Sequence, residues 1–347
     1  MKDVVRGSVA TTPSHYGNAL PCGRVDGVTR PRVVFIVGYG RSGSTLLDLM
    51  LGSAPGAVSA GELRNIWRRG FQQDQRCSCG ASFSACPFWD AVVAQTFAEG
   101  IPDIEATLAL RRHANASRRV RRRVVDPDAA TDSEQRYLAI WQRLYRAVGQ
   151  VGGAGVVIDS SKEARHAFSF AASDDIDARY IHLIRDGRAA AFSRTRAKHR
   201  PEVHGGGSMR VRNPFRSALR WRNVNNQIEW FARRVPRLVR LRYEDLMADP
   251  LGALRNTVAA LGLDLEYPDG LMRGREVMLP PNHMVSGNPM RFQSGPVALR
   301  EDTQWRQAMP LRHRLAVAIL AGRLLRRYGY FDNQRFASRY SRRSRSS

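Results

Sequence analysis

The sequence VVFIVGYGRSGST (residues 33–45) decides the fold of this chain, because it describes a strand, a tight turn and the start of a helix. The apolar, mostly β-branched residues 33–37 predict a buried strand, and the glycines after them predict a turn. Residues 44–51 (STLLDLML) predict a helix that begins directly after this turn. Backbone N–H groups and the positive end of the helix dipole would converge there, which predicts an anion-binding site.

The turn fits the P-loop pattern at every position but one. Gly38, Gly43 and Thr45 have the expected spacing, but Ser44 stands where a nucleoside-triphosphate enzyme carries the lysine that contacts the β- and γ-phosphates. Arg41 supplies a positive charge from within the loop instead. The sequence therefore predicts a loop that holds a phosphate but lacks the group for a triphosphate. An ordinary strand-to-helix turn is the alternative.

A second candidate anion site follows a later strand. Residues 180–184 (YIHLI) predict a short apolar strand that ends at Arg185, and Ser193 follows eight residues later. If the chain is helical after Gly187, the Ser193 hydroxyl lies about two turns along and approaches the same anion. The alternative is a strand-end arginine with no ligand.

With both elements considered, the chain resembles the sulfotransferase family, whose members use 3′-phosphoadenosine 5′-phosphosulfate (PAPS) as donor. In that family a glycine-rich loop binds the 5′-phosphosulfate, and a strand-end arginine with a serine eight residues later binds the 3′-phosphate. The second element is matched by Arg185 and Ser193, and the first by the consecutive residues Arg41, Ser42, Gly43, Ser44 and Thr45. The resemblance covers residues 32–331.

The resemblance also implies a general base. Residues 61–64 (GELR) look like the Gly-Glu-x-Arg element of protein-tyrosine sulfotransferases, which places the base at Glu62. A base is needed because the acceptor hydroxyl loses its proton as it attacks sulfur. Asp159 and His166 are alternative candidates for the general base, since cytosolic members of the family use a histidine after the third strand. The Lys-x-His motif of those members is missing from this chain. A structural role for Glu62, such as an ion pair with Arg64, is the alternative.

Lys162 and Arg41 are the candidates for stabilising charge on the bridging oxygen as the phosphosulfate bond breaks. Lys162 is one of only three lysines in the chain, which argues against a replaceable surface ion pair. The sequence has no evident acidic cluster for magnesium, and sulfuryl transfer does not demand one. No metal is expected to be required.

Residues 282–292 (NHMVSGNPMRF) are too polar and too interrupted by Gly and Pro for a strand or helix, which predicts an ordered loop. In the family a C-terminal loop closes over the nucleotide, which implies that Ser286, Gly287 and Arg291 reach the 3′-phosphate. The loop departs from the Arg-Lys-Gly form of cytosolic members and is closer to the bacterial and carbohydrate branches. Trp305 follows at a distance suited to bounding the adenine or the acceptor. A purely structural loop is the alternative.

Three cysteines, Cys77, Cys79 and Cys86, fall within ten residues. Three thiolates could form part of a zinc site, but no fourth ligand is obvious nearby, since the nearest histidine is His113. A disulfide from Cys86 to either other cysteine is a second alternative, which a cytoplasmic setting disfavours. The favoured interpretation is a structural lid loop with reduced thiols.

The net charge of +24 comes almost wholly from arginine and would attract nucleic acid or smaller polyanions. Its densest blocks, residues 111–123 and 335–347, do not interleave aromatic residues at a spacing suited to base stacking. We interpret them as a solvated helix face and a disordered tail, with no specific nucleic-acid partner.

The chain is predicted to form one three-layer α/β domain of the P-loop type, with a parallel sheet covered by helices on both faces. Charged or hydroxyl residues follow all five predicted strands, which is typical of a ligand crevice. The strands lie near residues 33–37, 58–60, 156–159, 179–184 and 238–242. The predicted organisation is a leader (1–31), a domain (32–332) with a largely helical insert at about 88–151, and a basic tail (333–347).

No apolar run is long enough for a signal peptide or a membrane span, so we expect a cytoplasmic protein, with contact at a membrane surface left open. The predicted function is transfer of a sulfuryl group from PAPS to a hydroxyl of a carbohydrate, lipid-linked or other small acceptor. The alternatives are a P-loop kinase with a degenerate loop and a non-catalytic, arginine-rich nucleic-acid-binding protein. The oligomeric state is left open.

Overall fold

The centre of the fold is a five-stranded parallel sheet. The computed structural model describes residues 24–25, 28–196, 199, 207 and 211–331. A short antiparallel pair, β1 (Arg24–Val25) and β2 (Val28–Thr29), precedes the sheet. Its strands are β3 (Arg32–Val37), β4 (Ala57–Gly61), β5 (Val156–Lys162), β6 (Asp177–Ile184) and β7 (Leu238–Arg242). They are arranged in the order β4-β5-β3-β6-β7, and every neighbouring pair is parallel. The predicted strands and fold class are confirmed.

Helices cover both faces of the sheet, as the alternation of strands and helices predicts. Phe35 of β3 belongs to a core shared with Trp141 and Phe168, whereas Ile36 belongs to a second core shared with Leu47 and Leu254. Successive residues of a strand point to opposite faces, so two buried layers enclose the sheet. The helices are α1 (Ser44–Leu51), α2 (Pro87–Thr96), α3 (Ile104–Ala114), α4 (Ser117–Val125), α5 (Asp132–Val151), α6 (Ala164–Phe168), α7 (Gly187–Ser193), α8 (Pro214–Phe231), α9 (Tyr243–Ala248), α10 (Pro250–Ala260), α11 (Trp305–Ala308) and α12 (Leu311–Arg327).

A small antiparallel sheet lies after α10. Its strands are β8 (Met272–Arg273), β9 (Glu276–Leu279) and β10 (Gly295–Ala298), in the order β10-β9-β8. The loop predicted over residues 282–292 joins β9 to β10 and contains a 3-10 turn, Pro289–Phe292. A π-helix, Ile66–Gln72, follows β4 and a 3-10 turn, Leu63–Asn65.

The basic block at residues 111–123 is not simply a solvated helix face. Arg123 of α4 is 2% exposed and pairs with Glu134 of α5 at 2.5 Å. Arg122 and Arg119 approach the same fully buried carboxylate, at 3.0 and 3.8 Å. A buried carboxylate needs this compensation, so part of the block is structural and our interpretation of it as a solvated face is wrong at Arg123.

The predicted tail at residues 333–347 and most of the predicted leader at residues 1–31 lie outside the described residues. Across the described segments, no helix is both long and apolar enough to cross a membrane.

Candidate active site

Two residues of the glycine-rich turn between β3 and α1, Gly43 and Arg41, have left-handed backbone conformations. Gly43, the residue before α1, has φ 87°, and a Cβ built there would lie 2.6 Å from the Tyr243 ring. Arg41 also has a positive φ, 77°, which is rare without glycine and typical of functional loops. The buried Ser42 hydroxyl donates to the Tyr39 carbonyl at 2.7 Å, so it supports the turn rather than facing outward.

The second candidate anion-binding element lies against the first. Arg185, at the end of β6, donates from Nη1 to the Arg41 carbonyl at 2.9 Å. Its guanidinium stacks over Tyr243 at 4.6 Å and pairs with Asp302 at 3.2 Å. Arg185 is 6% exposed, so these contacts hold it in one orientation towards the loop.

Ser193 is placed as the sequence predicts. Asp186 caps α7 by accepting from the Arg188 N–H at 2.8 Å, and α7 continues to Ser193. Ser193 lines the same cleft as Arg185, as does Arg194 directly after it. The structure therefore brings the loop, Arg185 and Ser193 together.

These elements border a cleft of about 710 Å³ at the carboxyl edge of the sheet. Among the residues that the structure describes, seven arginines and Lys162 line it, against two carboxylates, Glu62 and Asp302. Burial, and then the charge of Arg194, lowers the pKa of Arg41. The buried Nη1 of Arg41 has no hydrogen-bond partner among the residues that the structure describes. A positive cleft with an unsatisfied buried donor is suited to an anionic ligand.

Glu62 and Lys162 form an ion pair in this cleft. Glu62 follows β4 and receives a hydrogen bond from Lys162 Nζ, while Asn65 Nδ2 donates to its other oxygen at 2.9 Å. Burial raises the pKa of Glu62, but the charges of Lys162, Arg69 and Arg64 outweigh burial and leave this pKa below its ordinary value. Glu62 is therefore ionised at neutral pH and able to accept a proton.

The two competing bases lie inside the core. Asp159 and His166 are both fully buried. Asp159 accepts from the Tyr145 hydroxyl at 2.6 Å, and the His166 ring packs 4.6 Å from Trp141. Neither residue lines the cleft, whereas Glu62 does.

The loop at residues 282–292 packs on the glycine-rich turn, but not through all the predicted side chains. Ser286 is fully buried and accepts from Arg69 Nη1 at 2.5 Å. A Cβ built on Gly287 would lie 3.5 Å from Thr45 Oγ1, and the Asn288 N–H donates to the same oxygen at 3.2 Å.

Arg291 does not reach the cleft. Its guanidinium donates to the carbonyls of Met284 and Arg76, both at 2.8 Å, and the residue is 1% exposed. Ser286 and Gly287 are also absent from the cleft lining, where Asn288 and Met290 take their place. The position of Arg291 differs from the prediction because a buried guanidinium needs hydrogen-bond acceptors, and the nearby backbone carbonyls supply them.

Several cleft residues were not predicted from the sequence. The sequence positions of two of them could have indicated a place in the cleft, since Arg194 directly follows Ser193 and Tyr243 directly follows β7. The others had no motif: Arg69, Arg212, Arg300 and Asp302. Trp305 lines an adjoining cavity of about 680 Å³, and the Arg188 guanidinium stacks on it at 4.8 Å.

Comparison with known families agrees with this geometry. A family model described as "Sulfotransferase family" matches residues 31–268, more than half of the chain. The chain belongs to the sulfotransferase family. The predicted membership is confirmed, and with it sulfotransferase activity at the level of the enzyme class.

Two solved structures resemble this sulfotransferase. The sulfotransferase domain from the curacin biosynthetic pathway has 21% identity and a TM-score of 0.47, covering 85% of this chain and 97% of that one. Sulfotransferase STF1 from Mycobacterium tuberculosis H37Rv has 16% identity and a TM-score of 0.36, covering 68% of each chain. A search of curated proteins finds no match.

Proposed function

We propose that this sulfotransferase transfers the sulfuryl group of PAPS to a hydroxyl of a carbohydrate, lipid-linked or other small acceptor. The observation that carries the proposal is the contact between Arg185 and the Arg41 carbonyl, which joins two anion-binding elements in one cleft. PAPS has a phosphosulfate at one end and a 3′-phosphate at the other. A cleft with two separate cationic elements suits such a ligand.

The roles of the residues follow from their positions. Backbone N–H groups of residues 43–45 and the Arg41 guanidinium would hold the 5′-phosphosulfate at the N-terminus of α1. Arg185 and Ser193 would hold the 3′-phosphate, which would replace Asp302 as the partner of Arg185. The charge of the cleft favours this exchange, because a phosphate carries more negative charge than one carboxylate.

In the proposed reaction the acceptor oxygen attacks sulfur while Glu62 takes the hydroxyl proton. The bond between sulfur and the bridging oxygen breaks, and adenosine 3′,5′-bisphosphate leaves. Lys162 would stabilise the charge that develops on the bridging oxygen, where a fixed cation has its largest effect. Lys162 already borders Glu62, so one small region holds both groups.

Calorimetric titration tests the donor. Adenosine 3′,5′-bisphosphate should bind about 100-fold more tightly than AMP, since one charge-assisted phosphate contact contributes about 2–3 kcal/mol. Arg185→Ala should remove this preference. Arg220→Ala, which removes an exposed arginine from α8, should not change it.

Equal affinity for AMP and the bisphosphate would contradict the proposed role of Arg185. Tighter binding of ATP in the presence of magnesium would instead support a kinase.

The acceptor class is tested by incubating the enzyme with labelled PAPS and separate panels of sugars, lipid-linked sugars and phenols. Labelling confined to phenols would contradict the proposed acceptor.

A further inference from the structure

We infer that Cys77, Cys79, Cys86 and His283 bind a structural zinc ion. The three cysteines lie between the π-helix and α2, and His283 lies in the loop after β9, 197 residues beyond Cys86. The four ligand atoms all lie within 4.8 Å of one another. The sequence suggested three of these ligands, and the fold supplies the fourth.

Four distances within this Cys₃His cluster are close to the edges of a tetrahedral zinc site. Cys86 Sγ lies 3.6 Å from Cys77 Sγ and 3.7 Å from Cys79 Sγ. His283 Nδ1 lies 3.3 Å from Cys86 Sγ and 3.8 Å from Cys77 Sγ. With Zn–S bonds of about 2.3 Å and Zn–N bonds of about 2.0 Å, a tetrahedron has S–S edges of about 3.8 Å and S–N edges of about 3.5 Å.

The chemistry of the donors selects the metal. Three thiolates and an imidazole in tetrahedral geometry favour zinc over magnesium or calcium, which prefer oxygen ligands. Four protein ligands leave no open position, which is typical of a structural rather than a catalytic zinc. The inferred ion is therefore consistent with a transfer reaction that does not use a metal.

Contacts around the cluster hold its ligands in place. The His283 ring stacks on Phe88 with centroids 5.0 Å apart and an angle of 8° between the planes. Trp89 Nε1 donates to the His283 carbonyl at 2.8 Å. Cys77 and Cys86 are 1% and 0% exposed. Cys79 is exposed and His283 is half-buried. Ligands oriented by neighbouring side chains in this way are typical of metal sites.

The ion would join two segments that support the active site. Just beyond His283, the Val285 N–H donates to the Ala60 carbonyl at 3.3 Å, and the Ser286 carbonyl accepts from the Glu62 N–H at 2.8 Å. The backbone of Glu62 is thus held by the loop that carries His283. We expect zinc to stabilise the position of Glu62 without contacting any substrate.

Metal analysis of the full-length protein tests this inference. After zinc loading and dialysis, mass spectrometry of the metal content should find about one zinc per chain. X-ray absorption should show three sulfur neighbours at about 2.3 Å and one nitrogen at about 2.0 Å. These measurements use the unmodified protein, so they do not depend on the folding of a variant.

Variants locate the site. Cys86→Ser and His283→Asn should lose the bound zinc, whereas the controls Cys22→Ser and His113→Asn should keep it. Three results would overturn the inference. They are a protein that holds no zinc after loading, a coordination shell of oxygen alone, and zinc retained by the Cys86→Ser/His283→Asn double variant. None of these outcomes depends on which nucleotide the cleft binds.

Hydrogen exchange measures the structural consequence. Zinc removal by a chelator should speed exchange at the amides of Glu62 and Val285. The amide of Leu47, which donates to the Gly43 carbonyl in α1, serves as the control and should not change. Unchanged exchange at Glu62 and Val285 would show that the cluster does not support the loop.

Discussion

Glu62 is the residue on which the proposed chemistry depends. Glu62→Gln should lower turnover by about 10²–10⁴-fold, because the amide cannot accept the acceptor proton. The affinity for adenosine 3′,5′-bisphosphate should stay within a few-fold, since the amide has nearly the same shape. Steady-state kinetics and calorimetry on the same sample separate the two effects.

An exposed carboxylate far from the cleft provides the matched control. Glu99→Gln should leave both turnover and affinity unchanged, because Glu99 is exposed after α2. If Glu62→Gln keeps its turnover, the base lies elsewhere, although Asp159 and His166 are buried in the core.

The carboxyl of Asp48, which is buried in α1 next to the glycine-rich turn, predicts a pH dependence of stability. Burial raises the pKa of its carboxyl to about 7, although the hydroxyls of Ser160 and Ser59 oppose the shift. As the pH rises above 3.8, the Asp48 carboxyl loses its proton in the unfolded chain but keeps it in the folded protein. The free energy of unfolding therefore falls as pH rises, and this fall levels off above pH 7, where the folded protein loses the proton too. Between pH 5 and pH 8 the titration of Asp48 lowers the free energy of unfolding of the wild type by about 3 kcal/mol.

Asp48→Asn removes this titration. Its free energy of unfolding relative to wild type should rise by about 3 kcal/mol between pH 5 and pH 8, measured by urea unfolding. Asp174→Asn, at an exposed carboxylate, should show no such change. A pH-independent difference for Asp48→Asn would mean that Asp48 is already ionised in the folded protein.

At the scale of elements, the packing of α4 on α5 depends on a buried ion pair. Arg123 contacts Glu134 and also donates to the Ala114 carbonyl at 2.9 Å. Arg123→Ala should therefore destabilise the protein by about 3 kcal/mol, because Glu134 loses its most buried partner. Chemical unfolding measures the change.

Arg118→Ala in the same helix is the control, since Arg118 is exposed and should change stability by less than about 0.5 kcal/mol. Equal effects of the two substitutions would show that the basic block acts only through its total charge.

At the scale of the whole molecule, the charge of +24 predicts salt-sensitive binding of polyanions. Random duplex DNA should bind at about 50 mM salt and be largely released by about 200 mM, because non-specific binding depends on counterion release. Binding of adenosine 3′,5′-bisphosphate should weaken far less, since it makes few phosphate contacts and Arg185 is nearly buried. Fluorescence anisotropy measures DNA binding, and calorimetry measures nucleotide binding, at both salt concentrations. DNA binding that persists at the higher salt concentration would favour a nucleic-acid partner.

Much of this architecture could be predicted from the sequence, because it depends on local patterns. The apolar runs predict all five strands of the central sheet, and the glycines at positions 38 and 43 predict the turn. Glu62, Lys162 and Arg185 each follow or end a strand, and the carboxyl ends of parallel strands meet at one edge, so the sequence could place them together. The roles of Glu62 as base and of Arg185 as phosphate ligand were implied by the resemblance to the sulfotransferase family.

Long-range contacts were decided only by the tertiary structure. His283 joins the three cysteines across about 200 residues, Arg291 turns towards backbone carbonyls, and Arg123 becomes a buried partner of Glu134. A local pattern of residues indicates which face of an element is apolar. The partner of a buried charge or thiol, in contrast, depends on which distant segment packs against it, and that is settled only when the whole chain has folded.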